Sequence, residues 1–382
     1  MGPIARRRLG RMVDVYDSLE AFTTLEEAWE ALETPARSPF LTHAWIRAWW
    51  SAFPEAAPVV LTLKGDDGEL RAAASLMPSR RTLRGATNAY TEHWDVIAAD
   101  PTARTTLWRE IAARRSATIL LSGVPAGSAS VPVAVDVLRS AGYRVAVSVE
   151  QRSPILALPE TWDDLLAAVS RNLRSQVRRY TKRLAHEGTL VFRTTTEERL
   201  EQDLRSFLVV EGSGWKGAAG TAIRSDPCAI RLYTEFARGA ARRGSLRLQV
   251  LELDGAPIAV DYTCVVGDSA FLLKTGFDER YARVSPGLVL RAHALQAAIG
   301  ERLRFYDFLG GPDRYKVQWT AELRERLLIR AYGGITGPPT FLYRHRLRPA
   351  GRRLVLVGRR ALDRSRSVSA PRGRYRDQEA TS

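Results

Sequence analysis

The stretch AFLLKTGFDERYARVSPGLVL, residues 270–290, has the pattern of a β-strand followed by a turn and an α-helix. A short apolar run ends near Phe277, and Ser285, Pro286 and Gly287 then open an amphipathic pattern, which is typical of a capped helix. Glycine lets a ligand approach the backbone, and the free N–H groups at the positive end of a helix favour phosphate. The stretch therefore predicts a pyrophosphate site, with an ordinary capped helix as the alternative.

Around this stretch, the second half of the chain predicts the element order β-α-α-β-β-β-α-β-α-β, and the first half predicts the same order. No residue-level repeat is visible between the halves. The length of 382 residues suits two domains, each large enough to bury its own core. We therefore predict an α/β fold with mixed sheets, with one domain over 11–155, a second over 156–335 and a basic tail over 336–382.

The positive charge of the chain is concentrated in this tail. The sequence has 57 Lys and Arg against 42 Asp and Glu, a net charge of +15. Residues 344–376 hold 12 arginines and one aspartate, and hence +11 of that charge. Such a tail could bind an anionic membrane surface, although a solvated tail is the simpler interpretation, and it does not by itself indicate nucleic-acid binding.

Several classes of chemistry are excluded because their motifs are missing. Two cysteines and five scattered histidines form neither a disulfide framework nor an HExxH pair, so we expect no metal. The lack of a GxxxxGK[ST] loop and of a GxSxG elbow argues against an NTPase and an α/β-hydrolase. We find no export signal and no membrane-spanning run, and therefore expect a cytoplasmic protein that could lie at the inner face of the membrane.

Two isolated carboxylates are candidate catalytic groups. Asp261 lies in the apolar strand IAVDYTCVV and Asp307 lies in FYDFL, where burying an unpaired charge is costly. The alternative for both is a structural ion pair, for example with Lys274 or an arginine. Tyr315 in YKVQW could donate a proton to a leaving thiolate, and Lys316 could hold a phosphate.

A glycine-rich loop and one histidine are further candidates. The segment GSGWKG, residues 212–217, matches GxGxxG, but it follows a helical pattern, whereas the dinucleotide motif follows a strand. We therefore predict that the glycines end a helix and leave Trp215 and Lys216 either packed or in the substrate site. His93, within TEHWD, has acidic neighbours and is a candidate for lining a cleft.

Taken together, EGSGWKGAAGTAI, LELDGAPIAVDYTCVV, LLKTGFDERYARVSPGLVL and YDFLGGPDRYKVQW resemble the CelD-like branch of the GNAT acyltransferase superfamily. The resemblance covers about residues 171–319. This branch is named for its association with cellulose biosynthesis, and it is related to the FemA/FemB aminoacyltransferases, which carry two GNAT-like domains on one chain. Two tandem GNAT-like domains are therefore implied here.

The resemblance implies acetyl-CoA or another acyl-CoA as co-substrate, bound between the strands AFLLKTGF and RFYDFL. The cofactor-binding residues implied are Lys274, Thr275, Arg283, Ser285, Gly287 and Leu288. The family loop usually reads Gln or Arg, two residues, Gly, one residue, then Gly or Ala, and this chain departs from it. Asp100 and Pro101 occupy the equivalent turn of the first half, where a carboxylate would repel pyrophosphate, so we expect only the second half to bind CoA.

The activity implied is direct acyl transfer to a sugar, a polysaccharide precursor or a small amine. Backbone N–H groups near 274–276 would polarise the thioester, Asp261 or Asp307 would act as base or orient the acceptor, and Tyr315 would act as acid. The substrate-binding candidates are Trp215, Lys216, Lys316, Trp319 and His93. One alternative is aminoacyl transfer from aminoacyl-tRNA, favoured by a basic helix over 171–183; another is a non-catalytic polysaccharide-biosynthesis scaffold at the membrane.

Overall fold

The computed structural model describes residues 13–33, 38–213 and 222–334, so Trp215, Lys216 and the basic tail lie outside the described residues. The strands are β1 (Val13–Tyr16), β2 (Val59–Lys64), β3 (Leu70–Ser79), β4 (Thr82–Gly85), β5 (Ile97–Ala98), β6 (Thr118–Pro125), β7 (Arg144–Ala157), β8 (Leu190–Thr194), β9 (Leu246–Leu253), β10 (Ala256–Val266), β11 (Ser269–Phe277), β12 (Phe305–Asp307) and β13 (Leu323–Tyr332). The helices are α1 (Leu19–Thr23), α2 (Glu26–Glu33), α3 (His43–Ala52), α4 (Pro101–Ala113), α5 (Ser130–Ser140), α6 (Trp162–Ala168), α7 (Arg171–Glu187), α8 (Leu200–Glu211), α9 (Pro227–Arg242), α10 (Pro286–Gly300) and α11 (Arg314–Val317). None of the helices within these ranges is long and apolar enough to cross a bilayer.

The two halves of the chain repeat one order of elements. A strand and a helical layer lead to a run of antiparallel strands, and then a helix, a strand, a helix and a last strand follow. This order runs from β1 to β7 in the first half and from β8 to β13 in the second, and α6 and α7 connect them. The mixed α/β class predicted from the sequence is confirmed.

The strands of both halves join in one sheet. Over the described residues, the 13 strands follow the order β1-β2-β3-β4-β6-β13-β7-β12-β11-β10-β9-β8, with β5 paired to β3. The last strand, β13, lies antiparallel between β6 and β7, inside the sheet of the first half. In turn, β7 continues past β13 and pairs with β12 over Ile155–Ala157. The predicted domain boundary between 155 and 156 thus falls inside a continuous strand, and it stays a prediction.

The halves also share apolar packing. The rings of Trp45 on α3 and Phe236 on α9 meet edge to face, with their centroids 4.9 Å apart. Tyr233 and Tyr262 belong to the same cluster of buried side chains. On the other side of the first half's sheet, Ile329 of β13 lies fully buried in a core that α4 and α5 cover. The C-terminal strand therefore stabilises the first half directly.

This packing yields a stability prediction. The substitution Ile329→Ala opens a cavity in the first half's core, and we expect it to lower the free energy of unfolding by about 2–5 kcal/mol. The measurement is urea unfolding, combined with hydrogen exchange of the amides in β6 and β7. Leu323→Ala is the matched control, because Leu323 lies on the same strand but is 39% exposed. Equal urea midpoints for the two variants would contradict a structural role of β13 in the first half.

Candidate active site

The site begins where two parallel strands diverge. Strands β11 and β12 pair only over Ser269–Phe271 and Phe305–Asp307, after which β12 ends and β11 continues to Phe277. Beyond Phe271, the edge of β11 on the side of β12 therefore has no neighbouring strand among the described residues. On the opposite edge, the register with β10 shifts so that Leu273 is passed over, which is a β-bulge that bends β11 away.

A cavity of 750 Å³ opens at this divergence. Its walls come from the end of β11, the first turn of α10 and the segment around α11. Of the residues predicted to bind cofactor or substrate or to act in catalysis, the cavity wall includes Thr275, Ser285, Gly287, Leu288, Tyr315 and Trp319. The fold thus brings together residues that lie up to 44 positions apart in the chain, because 319 − 275 = 44.

The first turn of α10 has the properties of an anion site. Ser285 precedes Pro286 and has a left-handed backbone (φ 46°, ψ 60°), and its side chain makes no capping hydrogen bond. The sequence placed Ser285 correctly at the start of the helix, but its hydroxyl does not cap it. The positive end of α10 therefore faces the cavity without a side-chain cap from Ser285, as phosphate binding at a helix N-terminus favours.

The equivalent helix of the first half differs. Asp100 caps α4, because its Oδ1 accepts a hydrogen bond from the Ala103 N–H at 2.8 Å. A carboxylate thus already occupies the position that pyrophosphate would take. This geometry supports the expectation that only the second half binds CoA.

Two of the predicted cofactor-binding side chains do not line this cavity. Lys274 lies on the opposite face of β11 from Thr275, and its Nζ is 5.6 Å from the ring centroids of Tyr90 and Tyr233. Alternation along a strand explains this placement, because neighbouring residues point to opposite faces. Arg283 is exposed at the side of the site, with its Nη2 3.4 Å from the Glu187 carboxylate.

Asp261 has a buried ion-pair partner. Its Oδ1 accepts a hydrogen bond from Arg291 Nη2 at 2.8 Å, and Arg291 Nη1 also donates to the Tyr306 hydroxyl at 2.5 Å. Asp261 is fully buried and lies outside the cavity wall, whereas Arg291 contributes to it. The geometry therefore supports the alternative interpretation of Asp261, a structural ion pair, with Arg291 as the partner. This pair ties α10 to β10 beneath the cavity, and an arginine inside the apolar run GLVLRAHAL was the signal for it in the sequence.

Asp307 lies on the other face of the sheet from Tyr306 and Arg291. It lines a second cavity of 620 Å³ between the two halves, together with His93. Burial raises the pKa of Asp307 to about 6, although its Oδ1 accepts a hydrogen bond from the Leu309 N–H at 2.8 Å. Burial, together with the charge of Arg326, lowers the pKa of His93 to about 3, so this histidine is neutral. Its Nδ1 is 2.9 Å from the Ser38 hydroxyl.

The segment after β12 is held by two charged side chains, a buried lysine and a half-buried glutamate. Lys316 Nζ donates to the carbonyl oxygens of Leu309 (2.9 Å) and Gly311 (3.2 Å) and contacts the Asp313 carboxylate at 2.9 Å. The ammonium of Lys316 is therefore engaged with the loop and is not presented to the first cavity. The carboxylate of Glu92, which sequence reasoning did not single out, accepts a hydrogen bond from the Gly310 N–H at 2.7 Å.

Tyr315 and Trp319 lie on the α11 side of the first cavity. Tyr315 is 41% exposed, and its partial burial raises the pKa of the phenol. The phenol therefore stays protonated at neutral pH and can donate a proton into the cavity. Trp319 is buried and forms an apolar part of the wall.

Comparison with known proteins identifies the class of this site. Residues 171–317 match the acetyltransferase (GNAT) domain family. FemX has a similar structure, with a TM-score of 0.53 and 15% identity over 77% of this chain and 92% of that chain. L-PGS from Bacillus licheniformis gives a TM-score of 0.52 and 12% identity over 84% and 95% of the two chains. A conserved protein from Bacteroides thetaiotaomicron gives 0.56 and 11% over 84% and 100%.

Identities this low show a shared fold alone. A search of curated proteins found no significant match. Residues 171–317 therefore form a GNAT acetyltransferase domain, and the protein is an acyltransferase enzyme. Domains of this family use acyl-CoA, so the 750 Å³ cavity between β11, α10 and α11 is the candidate acyl-CoA cleft. Within the described ranges, no cluster of three or more His, Cys, Asp or Glu side chains could hold a metal ion.

The acyl-CoA cleft yields a binding prediction. A Cβ built at Gly287 would lie 3.4 Å from Phe277 Cδ1, an ordinary contact, so the backbone accepts a side chain here. We expect Gly287→Glu to weaken acetyl-CoA binding at least tenfold, because it brings negative charge to the positive end of α10. Calorimetry measures the affinity, and Gly287→Gln, which has the same size without the charge, should bind more tightly than Gly287→Glu. Wild-type affinity in folded Gly287→Glu would show that the phosphates bind elsewhere.

Proposed function

We propose that the protein transfers an acyl group, acetyl in the simplest case, from acyl-CoA to an amine or hydroxyl of a small or glycan acceptor. The observation that carries this proposal is the arrangement around the divergence of β11 and β12. The acyl-CoA cleft lies on one face of the sheet, and Asp307 lies at the same divergence but on the other face. The donor and the acceptor would therefore approach from opposite faces and meet between the two strands.

The cleft has groups suited to each part of acyl-CoA. The start of α10 and the open backbone at Gly287 would hold the pyrophosphate, and Arg314 adds a positive charge to the wall. The edge of β11 beyond Phe271, along which no described strand runs, would offer backbone N–H groups to the thioester carbonyl. Bound acyl-CoA supplies the activated acyl group.

Asp307 and Tyr315 would handle the protons. With a pKa of about 6, Asp307 is mainly a carboxylate above neutral pH and can accept the proton that the acceptor nitrogen or oxygen loses as it bonds to the acyl carbon. Tyr315 would donate its proton to the sulfur as the carbon–sulfur bond breaks. Asp261 would act only through Arg291, by fixing α10 beneath the cleft.

A second candidate function is aminoacyl transfer with aminoacyl-tRNA as donor. A groove beside α7 is lined by Arg171, Arg174, Arg178, Arg179 and Lys182. Gln176 of the same helix lines the acyl-CoA cleft, so the basic groove and the cleft are adjacent. Similarity in fold to FemX is compatible with this candidate. Binding of tRNA that weakens steeply with salt, without binding of acetyl-CoA, would favour it.

The location of the protein in the cell remains our sequence-based prediction. We propose a cytoplasmic enzyme whose tail, over 336–382, could contact an anionic membrane surface. A scaffold without catalysis is the remaining alternative, and binding of acetyl-CoA followed by turnover would exclude it.

The proposed base yields a prediction on pH. The value of kcat/KM for the acceptor should fall as the pH drops through about 6, because Asp307 becomes protonated and can no longer accept a proton. Asp307→Asn should lower turnover about 100-fold or more and remove this acidic limb, with acetyl-CoA affinity little changed. The measurement is a pH profile of acetyl transfer with saturating acetyl-CoA.

The control for this experiment is Asp261→Asn, which removes a buried carboxylate on the other face of the sheet. We expect it to unfold at a lower temperature, because it leaves Arg291 without its charged partner, and to keep the acidic limb of the profile. An unchanged profile in Asp307→Asn would show that Asp307 is not the base.

A further inference from the structure

The 620 Å³ cavity between the halves, called the interdomain cavity below, contains polar groups that the proposed chemistry does not use. Strand β13 contributes Arg324 and Arg326, β7 contributes Ser153, and the first half contributes His93. Arg326 is only 3% exposed. This cavity is separate from the acyl-CoA cleft, because the two have no lining residue in common among the described residues.

One edge of the Arg326 guanidinium has no partner. Its Nη1 donates to the backbone oxygen of Glu92 at 3.0 Å and pairs with the Glu92 carboxylate. Its Nε and Nη2 have no hydrogen-bond partner within the described residues. Leaving buried charged donors unsatisfied is costly, and the Nε and Nη2 edge of a guanidinium fits the two oxygens of a carboxylate or phosphate.

A second buried group in the interdomain cavity is also unpartnered. The Ser153 side chain is 2% exposed, and its Oγ has no hydrogen-bond partner in the described part of the chain. Arg324 adds positive charge, with its guanidinium 4.6 Å from the centroid of the Phe305 ring. A hydroxyl and a free guanidinium edge in one cavity are the donors that an oxyanion requires.

The acidic side chains around the interdomain cavity already have partners. Asp95 accepts a hydrogen bond from the Val96 N–H at 2.7 Å and another from Ser128, and Glu325 pairs with Arg152 at 2.9 Å. Asp307 accepts a hydrogen bond from the Leu309 N–H. None of these carboxylates satisfies the free edge of Arg326, which leaves that edge available to a ligand in the cavity.

We propose that the interdomain cavity binds an oxyanion of the acceptor, a carboxylate or a phosphate, on the Nε and Nη2 edge of Arg326 and on Ser153. Only the identification of the ligand as the acceptor rests on the proposed function. The cavity extends to Phe271 and Asp307, where β11 and β12 diverge. An acceptor with its amine at Asp307 and its oxyanion at Arg326 therefore fits, which makes the substrate class an amino acid or a phosphorylated amine.

The first test is direct binding to the full-length protein. Acetate and inorganic phosphate are titrated separately and followed by ligand-observed NMR at constant ionic strength. We expect at least one of them to bind, with affinity reduced at least tenfold in Arg326→Lys, which keeps the charge beside Glu92 but loses the planar fork. Arg330→Lys is the matched control, because Arg330 lies on the same strand but does not line the cavity, and it should bind as the wild type does.

The second test separates the two sources of the oxyanion. Acetyl transfer from acetyl-CoA is compared for glycine against glycinamide and for phosphoethanolamine against ethanolamine. We expect the wild type to prefer the anionic member of one pair at least tenfold in kcat/KM, and that pair identifies carboxylate or phosphate. Arg326→Lys should bring the ratio close to one, through a higher KM for the anionic member of the pair.

The outcomes distinguish the failure of this proposal from that of the proposed function. If neither anion binds in a manner that depends on Arg326, the proposal is wrong even where acetyl-CoA binds. If an anion binds but acetyl-CoA does not, the anion site is supported and transfer from acetyl-CoA is refuted. Should Arg326→Lys fail to fold, Ser153→Ala decides, because it removes an unpartnered hydroxyl: anion affinity reduced several-fold supports the proposal, and unchanged affinity overturns it.

Discussion

The short parallel pairing of β11 with β12 is the constraint on which both cavities depend. The two strands are joined over only three residue pairs, and β11 then bends away at the bulge beside Leu273. On one face, this divergence leaves space for the acyl-CoA cleft beneath the start of α10. On the other face, Asp307 and Phe271 reach the interdomain cavity. A longer ladder would fill the gap between the strands at which the donor and the acceptor are proposed to meet.

Buried ion pairs fix the elements that surround this opening. Arg291 of α10 forms hydrogen bonds with Asp261 of β10 and with Tyr306 of β12. These bonds fix the position of α10 relative to both strands. Glu92 of the first half binds Gly310 and Arg326, and thereby connects the loop after β12 to β13. Because β13 lies within the first half's sheet, the geometry of the interdomain cavity depends on both halves. The acyl-CoA cleft, by contrast, is built from the second half together with Gln176 of α7.

Much of the fold and part of the site could be predicted from local patterns. The repeated order of strands and helices, the start of α10 at Pro286 and the end of α8 before Gly212 all follow from residues within a few positions of each other. Of the residues proposed for acyl-CoA, Thr275, Ser285, Gly287 and Leu288 line one cleft, but the side chain of Lys274 lies on the opposite face. Side chains alternate between the two faces along a strand, and the sequence predicts this alternation. When helices cover both faces of the sheet, the sequence does not show which of the alternating residues face the ligand.

The sequence by itself determined the class of fold, the helix that begins near Pro286 and the presence of two costly carboxylates, because each depends on short-range preferences or on the cost of burying charge. Only the tertiary structure decided what those carboxylates do. Asp261 is paired because α10 crosses β10 and brings Arg291, 30 residues away, to its side, whereas Asp307 faces the other half. The free edge of Arg326 likewise exists because β13 inserts between β6 and β7 and places a buried guanidinium beside Glu92, 234 residues earlier in the chain. Pairings over such separations depend on how strands are ordered in the sheet, which no local pattern of residues encodes.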